Sequence, residues 1–461
     1  MPSLFGAARK VVLVAGVCFA VSGCETFQDA VYDFNPFAEK DKVLPGDRRA
    51  VFTGNELPAG EGATRRAASL GPQRANDDWP QAGGNPANNP GNLAYAGGGG
   101  RVWSSSAASV SRGLRVPSFG LGGSSASLRI GARPVVGGGM VFVYDPTGVV
   151  TAMSLSGGGR VWQQSVRPEN ERDTSAGGGV AYDHGRTYVA TAYGTVSALD
   201  ASSGRVVWTK DIEAPARGAP TATGGKVFVV TQTNVVLALD AADGTELWSY
   251  RGIPETAGLL AAASPAVVGD TVVVPYTSGE VIAFDIAKGE PRWSEAVTAS
   301  TRTYAVSSLN DISASPVVDG GVVFATSVAG ETVANDLKTG ERRWSQGVGS
   351  AHTPVVSGNA LFLVDLDDRA IALDRSTGEP LWATKLPVVS TRRERSHWAG
   401  PVLAGGSLWF VSSDSKIAQV DATSGNLVAT RPISDPSFIA PIVAAGTMIV
   451  VSANGTVSAY R

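Results

Sequence analysis

Histidine, cysteine and carboxylate side chains could do chemistry in this sequence, and their spacing limits what that chemistry is. The three histidines, His184, His352 and His397, are far apart and form no metal-ligand pattern such as H-x-x-x-H. The two cysteines, Cys18 and Cys24, form neither a C-x-x-C pair nor a haem-attachment motif. These spacings predict no metal site, no haem and no disulfide framework. We interpret each histidine as a loop or strand-end residue.

Aspartate recurs at a fixed spacing, with Gly four residues later and Trp four residues after that. The complete motif occurs as Asp200-Gly204-Trp208, Asp240-Gly244-Trp248, Asp285-Gly289-Trp293, Asp336-Gly340-Trp344 and Asp374-Gly378-Trp382. Carboxylates can act as general acids and bases, but residues that recur this regularly in turns do not converge on one site. We interpret the Asp as bonding the turn backbone and the Gly as supplying a positive φ. The Trp provides a large plate that packs between repeats.

The N-terminus predicts a processed and lipidated chain. A basic pair precedes the apolar run 11–21, which is too short to span a bilayer. The run ends in Val21-Ser22-Gly23-Cys24, which resembles the lipobox of bacterial lipoproteins. This resemblance implies that residues 1–23 are a signal peptide and that Cys24 carries the lipid anchor. An ordinary secretory leader with a chance cysteine is the alternative. Glu25 at the next position, in place of Asp, favours the outer membrane.

The composition predicts a tethered β-rich protein. Residues 24–75 mix Pro, Gly, Ala and charges without periodicity, so we expect a flexible tether between the lipid and a folded domain at 76–461. Only 17% of the residues are charged and 56 are Gly, which favours short strands and tight turns. The formal net charge of −3 gives no basic face for nucleic acid.

Short apolar bursts bounded by Gly, Asn or Asp repeat along the chain. Each burst is four to six residues long, and four bursts per period predict a four-stranded antiparallel meander. The opening position of the period recurs eight times, at Pro134, Gly179, Pro220, Pro265, Pro316, Pro354, Pro401 and Pro441. Periods of this length are typical of a β-propeller.

The last repeat is one strand short, because it begins at Pro441 and ends at Arg461. The missing Gly-x-x-x-Trp strand is present before the first repeat, at Gly99-Gly100-Arg101-Val102-Trp103. A strand from the N-terminal side that completes the last blade removes an open edge. The sequence therefore predicts an all-β, eight-bladed propeller of four-stranded blades closed by this strand.

The turn, Gly and Trp spacing resembles the tryptophan-docking repeat of pyrroloquinoline quinone (PQQ) propellers, and Asp78-Trp79-Pro80-Gln81 resembles the entry to that fold. Two families share the repeat: quinoprotein dehydrogenases and the BamB lipoproteins of the β-barrel assembly (BAM) machinery. The dehydrogenases resemble one another in a vicinal cysteine pair and acidic calcium ligands. No cysteine follows Cys24, so the BamB family is favoured. A PQQ-dependent redox protein remains the alternative, and a propeller that binds another envelope component is a third possibility.

The BamB resemblance implies a non-catalytic scaffold without a cofactor. In that family the propeller binds the periplasmic POTRA domains of BamA and assists insertion of outer-membrane proteins. We therefore expect BamA and other BAM subunits as partners of a single lipid-anchored copy on the periplasmic side of the outer membrane. Unfolded outer-membrane proteins could also bind.

The long connections between blades are the expected docking face, since loops on a rigid scaffold carry most binding functions. Those at 294–315 and 383–400 are expected to be the longest. By resemblance, Asp311 matches the first aspartate of a family Asp-x-Asp motif, and Ser313 replaces the second. Leu259 matches a leucine of a family Leu-x-Leu-Arg loop, and Leu260 replaces its arginine. Burial of the leucines and a turn cap for Asp311 are the structural alternatives.

A second candidate docking cluster lies in the other loop and combines positive charge with an aromatic ring. It comprises Arg392, Arg393, Arg395 and Trp398. Arginines beside Trp could meet an acidic partner or stack on aromatic groups. A solvated charged loop is the alternative.

Overall fold

The computed structural model describes residues 65–97, 100–107, 130–171, 174–254, 263–297, 311–389 and 395–461. The described chain consists of strands and turns and contains no helix that could cross a membrane. Its strands form eight separate four-stranded antiparallel sheets. The predicted eight-bladed, all-β propeller is therefore confirmed.

In blades 1 to 7 the four strands follow one another in sequence from the central axis outward. Blade 1 contains β2 (Val135–Gly137), β3 (Met140–Tyr144), β4 (Val149–Ser154) and β5 (Arg160–Ser165). Blade 2 contains β6 (Gly178–Asp183), β7 (Arg186–Thr191), β8 (Thr195–Asp200) and β9 (Val206–Asp211). Blade 3 contains β10 (Thr221–Thr223), β11 (Lys226–Val230), β12 (Val235–Asp240) and β13 (Glu246–Arg251). Blade 4 contains β14 (Ala266–Val268), β15 (Thr271–Pro275), β16 (Glu280–Asp285) and β17 (Pro291–Ala296).

The remaining blades repeat this order. Blade 5 contains β18 (Val317–Asp319), β19 (Val322–Thr326), β20 (Thr332–Asp336) and β21 (Arg342–Gln346). Blade 6 contains β22 (Val355–Ser357), β23 (Ala360–Val364), β24 (Arg369–Asp374) and β25 (Pro380–Lys385). Blade 7 contains β26 (Trp398–Ala404), β27 (Ser407–Ser412), β28 (Lys416–Asp421) and β29 (Leu427–Pro432). Blade 8 contains β30 (Ile442–Ala444), β31 (Thr447–Val451), β32 (Thr456–Tyr460) and β1 (Arg101–Ser106).

The closure predicted from the displaced Gly-x-x-x-Trp segment is confirmed. β1 pairs antiparallel with β32, with Ser104 opposite Ser458. Blade 8 is also joined to blade 1. The indole of Trp103 packs on Gly158 of blade 1 and donates a hydrogen bond to the Leu155 carbonyl at 2.9 Å. The first and last strands of the propeller thus lie side by side in one blade.

The repeated tryptophans join neighbouring blades. In six of them Nε1 donates to a turn carbonyl of the next blade at 2.8–3.2 Å: Trp103 to Leu155, Trp162 to Ala201, Trp208 to Ala241, Trp248 to Ile286, Trp293 to Leu337 and Trp344 to Arg375. Trp382 also packs on the turn glycine of the next blade, Gly425, but its Nε1 has no acceptor among the described residues.

Blade 7 carries Ala429 where the other outer strands carry Trp, and the ring closure explains why. A Trp there would dock on the turn between the third and fourth strands of blade 8. Those strands are β32 and β1, which belong to opposite ends of the folded chain and share no turn. A Trp at position 429 would therefore have no turn glycine to pack against.

The aspartates of the motif cap turns, as predicted. Asp336 is representative, because its Oδ1 accepts from the amides of Lys338 and Thr339 at 2.9 and 3.1 Å. Hydrogen bonds from Arg343 and these amides lower the pKa of Asp336 to about 2. The carboxylate therefore stays ionised at neutral pH and serves as a fixed acceptor for the turn.

Residues 76–93, which we call the axial segment, run around the centre of the ring and bond to every blade. In blade order the bonded pairs are Trp79–Val136, Pro80–Tyr182, Gln81–Ala222, Pro86–Val267, Ala87–Val318, Asn89–Val356, Leu93–Leu403 and Asn76–Val443, at 2.7–3.1 Å. These bonds satisfy backbone groups on the free edges of the inner strands.

The packed chain begins earlier than the predicted start of the domain at residue 76. The Arg66 amide donates to Leu381 O at 2.8 Å and the Ala68 amide to Thr423 O at 2.9 Å, and Ala68 is buried. Residues 65–75 therefore belong to the propeller and not to the tether. The sequence did not predict this packing, because the partners of these residues lie about 290 to 360 positions away in the chain. Cys24 and the predicted signal peptide lie outside the described residues.

Candidate partner-binding face

In the described chain, the outer strands end and the next inner strands begin on one side of the ring, which we call the connecting-loop face. The connection at 297–316 is long, as predicted. The connection at 386–397 is shorter than predicted, because β26 already begins at Trp398. The connections at 107–134 and 252–265 are both longer than it. The expected ranking of the loops was therefore wrong for 383–400.

Asp311 lies beneath this face in a buried ion pair with Arg217, and both side chains are 1% exposed. The guanidinium of Arg217 also donates to Ile312 O at 2.7 Å and Pro275 O at 3.3 Å. Burial lowers the pKa of Arg217, and the Asp311 carboxylate opposes that shift. The pair ties the connection entering blade 3 to a strand of blade 4 and to the connection entering blade 5.

Asp311 therefore does not present its carboxylate to a partner in this structure, and the expectation of an exposed contact is corrected. Sequence reasoning missed the cause, because Arg217 is 94 positions away and belongs to another blade. Ser313 is half-buried, and its Oγ atom is enclosed. It lines the central cavity described below.

The cluster around Trp398 is likewise rearranged. Trp398 is 2% exposed, and its Nε1 donates to Pro387 O at 2.9 Å. Its backbone amide donates to Asp368 Oδ1 at 2.8 Å, while Arg395 Nη2 lies 3.0 Å from Asp368 Oδ2. Trp398 is therefore a core residue, which corrects its assignment as a surface contact. Arg395 is partly exposed on the face.

The other predicted contacts, Leu259, Leu260, Arg392 and Arg393, lie outside the described residues. The described residues on either side of 255–262 and 390–394 lie on the connecting-loop face. The Arg217–Asp311 pair contacts blade 4, which follows the connection at 252–265, since Arg217 donates to Pro275 O in β15.

A central cavity of about 600 Å³ opens on the same face, and we call it the axial cavity. It is lined by residues that precede the inner strands of several blades, among them Ile130, Arg133, Ala219, Ser313, His352 and Ile439. Ala82 of the axial segment also lines it, and Arg133 Nη1 donates to Ala82 O at 3.3 Å. The axial segment therefore lies at the inner end of the cavity.

The lining does not fit a quinone held with Ca²⁺. The described residues around the axial cavity include a guanidinium and an imidazole but no carboxylate. Nor does the described chain contain a group of three His, Cys, Asp or Glu that could hold a metal ion. Calcium requires several oxygen ligands, usually including carboxylates, so the described lining does not suit a quinone–calcium pair.

Comparison with known proteins assigns the chain to a family. A family model described as "Outer membrane protein assembly factor BamB" matches residues 146–384, from blade 1 to blade 6. The chain belongs to the BamB family. The Outer membrane protein assembly factor BamB of Yersinia pestis is 29% identical over 334 residues, covering 71% of this chain and 84% of the relative. That of Xanthomonas campestris pv. campestris is 35% identical over 239 residues, covering 51% of this chain and 59% of the relative.

Solved structures share the fold at lower identity. BamB from Moraxella catarrhalis is 21% identical with a TM-score of 0.60, covering 70% of this chain and 94% of that one. A europium-containing methanol dehydrogenase is 15% identical with a TM-score of 0.63, covering 81% and 89%. These likenesses establish the propeller. The BamB assignment rests on the family model and the relatives.

Proposed function

We propose that this protein is a non-catalytic assembly factor of the outer membrane and a scaffold subunit of the BAM complex. The family match across residues 146–384 carries this proposal. In finer detail, we propose that the propeller binds the POTRA domains of BamA and contacts other BAM subunits. Its function would then be to help β-barrel proteins assemble and insert.

We further propose that a lipid on Cys24 anchors the protein to the outer membrane, with the propeller on the periplasmic side. Residues 1–23 would be removed as a signal peptide. Because residues 65–75 pack on the propeller, the tether would end before residue 65 and not at residue 75. Several acyl chains on one residue give stable anchoring without a membrane-spanning helix.

The connecting-loop face is the proposed docking surface for BamA. Leu259 and Leu260 are the proposed contacts, since apolar anchors surrounded by polar residues carry most of the energy at protein interfaces. Asp311 is proposed to act indirectly, because its ion pair with Arg217 fixes the bases of the neighbouring connections. Arg392, Arg393 and Arg395 remain secondary candidates.

The test is a pull-down of the tagged, full-length protein from its own envelope in mild detergent, with bound proteins identified by mass spectrometry. We expect BamA in stoichiometric amount from the wild type and a strong loss from Leu259→Asp/Leu260→Asp. The matched control is Leu247→Asp, because Leu247 is an exposed leucine on an outer strand.

The outcomes separate the function from the site. Absence of BamA from the wild-type pull-down would refute the BAM scaffold. Wild-type recovery of BamA by the double variant would leave the scaffold standing and refute these two contacts. Equal loss in the Leu247→Asp control would show a general folding defect.

A further inference from the structure

The axial cavity has an open mouth and a closed inner end. Its lining residues Ile130, Ala351 and Ile439 precede inner strands on the connecting-loop face. At the other end, Ala82 of the axial segment accepts a hydrogen bond from Arg133. Arg133 also borders a second, very small cavity, which is lined by Trp79 and Asn88 of the axial segment. Arg133 therefore lies near the floor of the cavity.

Arg133 has no carboxylate partner among the described residues. Its bond to Ala82 O is its only hydrogen bond within the described chain. Burial lowers the pKa of Arg133 to about 10, so the guanidinium remains charged at neutral pH. Arg133 is half-buried and lines the cavity. A partly desolvated cation without a counter-ion is costly, and proteins generally pair such a charge.

Two further polar side chains, Ser313 and His352, also line the cavity. The Oγ atom of Ser313 is enclosed and has no hydrogen-bond partner in the described part of the chain. Burial and the positive charge of Arg133 lower the pKa of His352 to about 4, so its imidazole is neutral at pH 7. The site thus combines one fixed positive charge with neutral hydrogen-bonding groups.

The upper walls are apolar, since Ile130, Ala132, Phe438 and Ile439 contribute to them. We propose that the axial cavity binds an organic carboxylate, with the carboxylate paired to Arg133 and its apolar group against these walls. The planar guanidinium matches a carboxylate in bidentate geometry. A cavity of about 600 Å³ admits a ligand with an aromatic or branched aliphatic group.

Charge matching favours a carboxylate over a phosphate. A monoanion neutralises the single charge of Arg133, whereas a phosphate dianion leaves one negative charge buried among apolar groups. The carboxylate could belong to a free small molecule or to the C-terminus of a peptide, since both present the same group. This inference does not rest on BAM membership.

The probe is phenylacetate, titrated calorimetrically into the full-length protein at pH 7.5. Phenylacetamide keeps the ring and removes the charge, and phenyl phosphate replaces the monoanion with a dianion. We expect saturable binding of phenylacetate and at least about tenfold weaker binding of the amide, which corresponds to about 1.4 kcal/mol. Binding of phenyl phosphate should also be weaker.

The source of the carboxylate is tested with acetyl-Gly-Phe in its free-acid and amide forms. Binding of phenylacetate alone identifies a small-molecule site. Tighter binding of the free-acid peptide than of phenylacetate identifies a C-terminus. Either result supports the carboxylate site, whereas no saturable binding of either acid overturns it.

Variants locate the site. Arg133→Gln should weaken phenylacetate binding at least about tenfold. The matched control is Arg167→Gln, which should leave binding unchanged. Arg167 is exposed on the same face but does not line the cavity. Ala351→Trp should block binding by filling the mouth, and Ala351 is exposed, so folding should survive. The proposal would be overturned if either cavity variant bound phenylacetate as tightly as the wild type does. Equal binding of phenylacetate and phenylacetamide by the wild type would also overturn it.

Discussion

At the scale of single residues, the buried Arg217–Asp311 pair changes how a mutation on the connecting-loop face is understood. Both side chains are buried, and the guanidinium also bonds two carbonyls on neighbouring segments. Removing one member of such a pair leaves a buried charge without a partner, which is more damaging than replacing both members by apolar groups. A loss of partner binding after mutation of Asp311 alone would therefore not identify a contact.

We expect Asp311→Asn to lower the free energy of unfolding by about 3–5 kcal/mol, because Arg217 keeps its charge. The double variant Arg217→Met/Asp311→Leu should recover most of that loss. Urea denaturation monitored by tryptophan fluorescence measures both. A single variant as stable as the wild type would show that the pair does not support the fold.

The double variant also separates positioning from contact. If Asp311 only positions the loops, the stable double variant should still recover BamA from envelope extracts. Loss of BamA by a double variant of wild-type stability would instead indicate that the carboxylate contacts the partner directly.

At the scale of strands and turns, the ring depends on indoles lying on glycines. Gly289 has a φ of +71°, and a Cβ there would lie 2.5 Å from Cδ2 of Trp248. Gly269 has a similar φ of +58° but nothing within 4 Å of an added Cβ. The two glycines therefore differ mainly in whether a tryptophan occupies the space.

This difference gives a matched pair of variants. Gly269→Ala should cost about 1–2 kcal/mol of stability through its backbone alone. Gly289→Ala should cost about 2–5 kcal/mol, because overpacking against Trp248 adds to the backbone term. Chemical denaturation of both proteins checks the order. Equal losses would show that the indole shifts aside without cost.

The sequence predicted the blades because each one repeats a local pattern. The apolar bursts recur in every period, and seven of the eight outer strands carry the tryptophan. The displaced strand at Arg101–Ser106 carries this Trp as well. Trp398 was misplaced because the basic residues before it suggested a loop, whereas it begins an unusually long inner strand. The Arg217–Asp311 pair and the floor of the axial cavity join distant segments, and no local pattern encodes such contacts.

At the scale of the whole molecule, the axial segment is an integral part of the propeller. It bonds to all eight blades, and Trp79 within it is 1% exposed. The side-chain amide of Asn88 donates to the carbonyls of Ser264, Pro265 and Pro316 at 3.0–3.3 Å. The segment therefore links blades that otherwise contact only their neighbours.

We expect a chain that begins at residue 65 to melt close to the full-length protein. A chain that begins at residue 94 should melt lower by on the order of 10 °C, because several hydrogen bonds and a buried indole are lost. Differential scanning calorimetry measures both transitions. Equal melting temperatures for the two chains would show that the blades are stable without the segment.

The pairing of β1 with β32 also sets the order in which the molecule can be completed. During synthesis the first strand emerges hundreds of residues before its partner, since Arg101 lies opposite Tyr460. Contacts of such long sequence separation form slowly. A product that stops before residue 456 leaves both β1 and β31 with unpaired edges, which are sites for aggregation and proteolysis. Completion of the ring therefore requires that residues 456–460 have been synthesised and paired with β1.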